Sequence, residues 1–272
     1  MSPTHAPPPP APPCAPPCAS PCASPCALPR DDEARALISR WADRPDRWPP
    51  PLEAGAGASS EGAGWRLDPH PLPDEPLAPP LSWEGLRARG EGKMLGLLIC
   101  ETPEGARGLL RAFSGQLDGA WARAGWAPPL FEAARFAGAS WRTQLALHAL
   151  TEALADPALS PEGRAELKGL RRDVSRALTR EIHEAYTLTA PGGARRSLYA
   201  LWPAAPTGTG ECCAPKLLCR AHALGWRPLG LAEVWWGASR GGAEEGRLYP
   251  PCEERCAPLW RWLVAGELPA PA

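Results

Sequence analysis

Net charge is almost absent from this sequence: 29 Lys and Arg against 30 Asp and Glu leave a formal −1 over 272 residues. Such a balance excludes a global attraction to phosphate, so any nucleic-acid contact has to come from a local patch, and no DNA partner is expected. Long apolar runs are missing too. The longest, Met94 to Cys100, is far too short to span a bilayer, and no charged start followed by an apolar stretch marks a secretory signal. The chain is therefore expected in the cytoplasm without a membrane partner. Thiols stay reduced there, and the ten cysteines do not imply disulfides.

Proline and glycine are in excess, with 37 and 27 residues concentrated toward the front. Residues 1–30 are nearly all Pro, Ala, Ser and Cys, in a four-residue repeat that spaces Cys14, Cys18, Cys22 and Cys26 evenly. That composition cannot bury a core and predicts a disordered, polyproline-like tail, a metal-binding tail being the alternative. Residues 31–80 read as a short helix followed by a Pro/Gly-rich linker. The helix runs from Asp31 to Trp41, with Asp31 or Asp32 as cap and Ala34, Leu37, Ile38 and Trp41 on one face. Pro45 and Pro49 to Pro51 stop it, and the stretch to Pro80 is linker-like, so the folded body is expected from Leu81 or Trp83 to residue 268.

Within that body, Lys93–Glu101 and Gly108–Phe113 flank Thr102-Pro103-Glu104-Gly105 and predict a hairpin whose first strand is buried on both faces. Trp121 to Phe136 predicts irregular structure. Trp141–Leu154 and Pro161–Tyr186 predict a helical insertion, with Leu167, Leu170, Val174 and Leu178 on one helical stripe. Arg164, Lys168, Arg171, Arg172, Arg176 and Arg180 interleave there with Glu162, Glu166, Asp173 and Glu181, a solvated ion-pair face more than an RNA stripe. The fold class expected is α/β, a small mixed sheet flanked by helices.

The chemistry concentrates in Gly208-Thr209-Gly210-Glu211-Cys212-Cys213-Ala214-Pro215-Lys216-Leu217-Leu218 and in Tyr249-Pro250-Pro251-Cys252-Glu253-Glu254-Arg255-Cys256. A glycine turn leading into cysteines and an apolar helical run puts sulfur at a helix start, where free N–H groups and the dipole favour the thiolate. The second stretch predicts another helix starting at Cys252, with Cys252 and Cys256 on one face. Thiolates from two helix starts can converge on a soft metal, zinc by default, with Cys212, Cys252 and Cys256 as ligands and Cys213 or water as the fourth. Cysteines packed as small hydrophobes are the alternative. Lys216 is placed to meet a phosphate or to cover the helix surface. Between the two stretches lies a strand, Pro228 to Trp236. Trp235 and Trp236 point to opposite sides of it, for core packing or for base stacking on the exposed side.

These stretches, with Leu224 through Gly237, resemble the amino-terminal region of long RluA-type RNA pseudouridine synthases. Gly92-Lys93-Met94-Leu95-Gly96-Leu97-Leu98, Leu110-Arg111-Ala112-Phe113-Ser114-Gly115 and Pro128-Pro129-Leu130-Phe131 match the same region in the same order, so the resemblance spans about Leu72 to Gly266. It implies a role in RNA modification, with tRNA, rRNA or a separate synthase catalytic chain as partner. The aspartate motif of that family, His-Arg-Leu-Asp-x-x-Thr-Ser-Gly, does not occur in these residues. Arg66-Leu67-Asp68 is followed by Pro69 and sits among loop signals, so a non-catalytic, zinc-ordered module is expected.

The order of elements is also that of the zinc nucleobase deaminases. Those enzymes pair a His- or Cys-x-Glu with Pro-Cys-x-x-Cys, the glutamate moving protons for a zinc-bound water. With Cys212 as first ligand, Ala214 stands where that glutamate belongs, and Cys252-x-x-x-Cys256 is one residue longer. A deaminase-like architecture is thus one reading of the fold, and an enzyme, either a synthase subunit completed by another chain or a divergent deaminase-like zinc hydrolase, is the alternative to the non-catalytic module. Glu211 and Glu233 are the substitute bases, although a glutamate inside an apolar strand also serves as partner to a buried Arg or Lys.

Overall fold

The run Gly-Lys-Met-Leu-Gly-Leu-Leu-Ile-Cys-Glu has no polar face to offer water, and it becomes the middle of the sheet. The computed structural model describes residues 27–47, 65–68 and 81–268; the Cys14–Cys26 repeat lies outside them. In chain order the elements are α1 (Asp31–Asp43), β1 (Trp65–Leu67), α2 (Trp83–Ala88), β2 (Gly92–Glu101), β3 (Arg107–Phe113), α3 (Ala133–Leu154), α4 (Pro161–Ala185), β4 (Thr187–Thr189), β5 (Arg195–Ser197), α5 (Leu198–Leu201), α6 (Cys213–Ala223), β6 (Arg227–Gly237), β7 (Leu248–Tyr249) and α7 (Trp260–Ala265). The five-stranded mixed sheet has the order β1-β3-β2-β6-β7, with β1 parallel to β3 and every other pair antiparallel. β4 and β5 form a separate ribbon. No helix of the described residues is long and apolar enough to cross a membrane.

Both faces of β2 are covered. Leu95, Leu97 and Ile99 pack into a cluster with Ala34, Leu37, Ile38 and Trp41 of α1 and Leu86 of α2. Leu98 and Cys100 join the opposite cluster, built on Cys213, Leu217 and Leu218 of α6 and Leu259, Trp260 and Leu263 around α7. Fully burying a leucine or isoleucine contributes about 1.5–3 kcal/mol, which is why this run carries the fold. The hairpin turn between β2 and β3 closes through Thr102 N–H to Ala106 O at 2.8 Å.

Three expectations about the front of the chain change. α1 exists with its expected face buried, but it is part of the body, packed across β6 and β2. Its cap differs as well. Asp31 is the first helical residue, and its carboxylate accepts from Leu28 N and Leu231 N at 2.9 and 2.8 Å, which moors the helix to β6. The stretch read as linker contains β1, whose residues pair with β3. Asp68 follows it and is buried against the Arg220 guanidinium, with contacts of 2.7, 3.0 and 3.3 Å. A buried aspartate needs such a partner, and α6 supplies it from 152 positions away.

α3 and α4 form an antiparallel pair, with Thr143 opposite Glu181 and Thr151 opposite Arg171. On α4 the predicted stripe is half-buried at Leu167, Val174 and Leu178, while Leu170 is exposed. Ion pairs Arg176–Asp173 and Arg180–Glu184 occupy its outer face.

Candidate metal centre

Gly96 of β2 and Glu233 of β6 lie directly opposite each other in the sheet. The first turn of α6 lies over this pair. A Cβ on Gly96 would come within 2.4 Å of Cys213 Cβ, so only glycine lets the helix approach this closely. The helix start itself has no side-chain cap from its N-cap residue, Cys212. Glu233 performs that task from the strand, its Oε1 accepting from Ala214 N at 2.8 Å. A buried carboxylate at a helix N-terminus is stabilised by the orphan N–H groups and the dipole. The positive end of α6 thus meets the charge of Glu233.

The turn into α6 directs the two adjacent cysteines apart. Cys213, fully buried, donates its thiol to Met94 O at 3.3 Å on the sheet side. The sulfur of Cys212 faces the other way, 4.0 Å from that of Cys252. The sulfurs of Cys252 and Cys256 are 3.5 Å apart, and those of Cys212, Cys252 and Cys256 all lie within 4.8 Å of one another. No other His, Cys, Asp or Glu among the described residues joins that cluster.

The helix expected to start at Cys252 does not form. Residues 253–256 are a turn, followed by a 3-10 segment at Ala257–Leu259 and only then α7. Cys252 O nevertheless accepts from Cys256 N at 3.0 Å, the i to i+4 bond of a helical turn. One such turn suffices to put both sulfurs on the same side.

Among the three thiols, the two neighbours favour the Cys252 thiolate and hold its pKa well below the ordinary value. Cys256 is held well above it. The Cys212 contact lowers it, but the contact with Cys252, burial, and the charges of Cys252 and Glu233 outweigh that effect. Three sulfurs at this spacing, one of them readily ionised, form a donor set suited to a soft divalent metal.

The other candidate residues are placed as follows. Lys216 is buried, and its ammonium donates to Phe113 O and Gly115 O at 2.9 and 3.1 Å. It neither reaches the surface nor covers it. Burial lowers its pKa to about 8 against the opposing charges of Cys213, Glu211 and Cys212. Glu211 accepts from the Tyr186 hydroxyl at 2.9 Å, an arrangement with no signal in the sequence. Trp235 and Trp236 face opposite sides: Trp236 is buried edge-on to Trp83, and half-buried Trp235 donates Nε1–H to Ala238 O at 3.0 Å. His222 contacts Leu263 O at 2.6 Å, and Cys219 accepts from Thr189 N at 3.3 Å. Both tie α6 to its surroundings, away from the three sulfurs.

No protein-family model matches this chain, and neither a curated protein nor a solved structure does.

Proposed function

We propose that the chain is a zinc-ordered, non-catalytic module of RNA modification, related to the front region of RluA-type pseudouridine synthases. The observation that carries this reading is the convergence of the Cys212, Cys252 and Cys256 sulfurs within 4.8 Å from segments 40 residues apart. Those segments are also the ones that carry the resemblance. Zinc there would join the start of α6 to the turn after β7. Structural zinc contributes on the order of 10 kcal/mol in small sites. Lys216 and Trp236 are buried, which withdraws two residues from direct RNA contact. That favours a synthase catalytic chain as the partner over RNA itself.

The test is metal analysis with thermal melting of the wild type and its Cys212→Ser, Cys252→Ser and Cys219→Ser variants. About one zinc per chain is expected, lost with a sharp fall in Tm in the first two variants and retained in Cys219→Ser. Wild type prepared without chelator and carrying less than about 0.2 zinc per chain overturns the metal reading. Pseudouridine formed in tRNA or rRNA by the purified chain alone overturns the non-catalytic one.

A second reading is a deaminase-like zinc hydrolase. The position of Glu233 at the start of α6 supports it. Ala214 at the expected base position counts against it.

A further inference from the structure

We propose that Cys252 and Cys256 form a peroxide-sensitive pair, which a hydroperoxide closes to a disulfide and which then no longer holds metal. The disulfide follows from the thiol geometry alone; the release of metal rests on the metal reading above.

Solvent reaches the three sulfurs at Cys252. It is half-buried, whereas Cys212 and Cys256 are 8% and 1% exposed. Redox-sensing cysteines combine such access with a resolving thiol close by. The nearest is Cys256, at 3.5 Å between sulfurs, and Cys212 follows at 4.0 Å. The backbone favours the same pair. Cys256 N donates to Cys252 O, the bond of a helical turn, and four helical steps of roughly 1.5 Å put the two Cα atoms about 6 Å apart. Disulfides span Cα separations of about 4.4–6.8 Å, so the bridge needs side-chain rotation and no unfolding of the turn.

In the first step the Cys252 sulfur attacks one peroxide oxygen. An S–O bond forms, the O–O bond breaks, and the leaving oxygen departs with a proton as water, or as an alcohol from an organic hydroperoxide. In the second step the Cys256 sulfur attacks the sulfenic sulfur, an S–S bond forms, and the hydroxyl leaves with a proton as water. The pair loses two electrons and the peroxide takes them up. The protons come from the thiols, or from solvent where metal holds the sulfurs as thiolates. A disulfide is no longer a pair of thiolate donors, so the metal keeps Cys212 alone of this trio and dissociates. In a reducing compartment the disulfide is transient, returned to thiols by exchange with a dithiol.

The test exposes the full chain to dilute hydrogen peroxide, as purified and after chelator treatment. Remaining thiols are blocked and the tryptic peptides mapped by mass spectrometry, while a chromogenic chelator reports released metal. Trypsin cuts after Arg255, between the two cysteines, so their disulfide appears as a linked pair of peptides. That pair is expected in both samples, with about one metal ion released per disulfide from the first, and dithiothreitol is expected to separate it. A chain with Cys14, Cys18, Cys22 and Cys26 all changed to Ser is expected to behave the same. Cys252→Ser is expected to slow oxidation of the buried Cys256 roughly tenfold or more.

A wild-type chain whose Cys252 and Cys256 stay reduced, or whose disulfide joins either of them to a different cysteine, overturns the pair. Cys256 oxidised at the wild-type rate in Cys252→Ser overturns the role of Cys252 as the point of entry. Metal that remains bound while the pair is linked overturns the release. A linked pair in a chain that never carried metal overturns the metal reading and leaves the pair standing. The wild-type map decides the pairing even if Cys252→Ser does not fold.

Discussion

Gly96 sets how closely α6 approaches the sheet, and a single methyl group tests it. Alanine there puts a Cβ 2.4 Å from Cys213 Cβ, 3.0 Å from Leu217 Cδ1 and 3.3 Å from Cys213 Sγ. The leucine methyl and the thiol can rotate away. The Cys213 Cβ cannot, because it is bonded to the backbone of the first residue of α6. Carbon atoms pack at about 3.5–4.0 Å, so the first turn has to retreat by roughly 1 Å or more. Overpacking of this kind costs about 1–3 kcal/mol. At about 2–4 °C per kcal/mol for a body of this size, Tm is expected to fall by roughly 2–12 °C. The same retreat moves Cys212, and metal–ligand distances tolerate only about ±0.2 Å, so on the proposed metal reading the metal content should fall as well. Gly169→Ala in α4 is the control. Its Cβ meets only Arg172 Nη2, at 3.9 Å, and the helix gains about 0.5–1 kcal/mol. Calorimetry and metal analysis on both variants read the outcome. A Gly96→Ala protein that melts no lower than wild type and matches its metal content, beside a stabilised Gly169→Ala, refutes the reasoning.

His183 is buried near the end of α4 with neither ring nitrogen hydrogen-bonded, and burial lowers its pKa below the ordinary 6.5. A base with a lowered folded pKa gives stability that is present above its unfolded pKa and lost as the pH falls. Thermal stability should therefore be level above about pH 6.5 and decline below it. His183→Leu should flatten the decline, and parallel wild-type and variant curves count against the assignment; His222, also lowered by burial, leaves a residual slope. Asp68→Leu strands the largely buried Arg220 guanidinium and should cost about 3 kcal/mol in urea unfolding, most of it recovered when Arg220→Leu is added. A single-variant cost below about 1 kcal/mol, the scale of a surface pair, would remove the case for β1 as part of the body.

What the sequence makes legible follows from how local each signal is. β2, β3, α6 and β6 are stretches whose own apolar pattern exceeds the noise of turns and loops; the strands are found within a residue or two of the expected bounds, and α6 starts where expected. β1 has no such pattern. It is three residues long and becomes a strand only because β3 offers an edge and Arg220 offers a charge for Asp68. Composition correctly marks its surroundings as Pro- and Gly-rich, and cannot register a partner 152 positions on. At the three-cysteine cluster the error runs the other way. Pro251 before Cys252 reads as a helix start, yet the chain makes a single turn before the 3-10 segment at Ala257. The spacing argument survives because it needs only the i to i+4 bond, and one turn supplies that. Why Cys212 joins the cluster and Cys213 turns to the sheet lies beyond spacing. Cys212 is the extended N-cap residue and Cys213 the first helical one, and Gly96, whose missing side chain receives Cys213, leaves Cys212 facing outward to Cys252. A glycine in the central strand thus selects which sulfur joins the cluster, and the candidate donor set is a property of the sheet as much as of the cysteines.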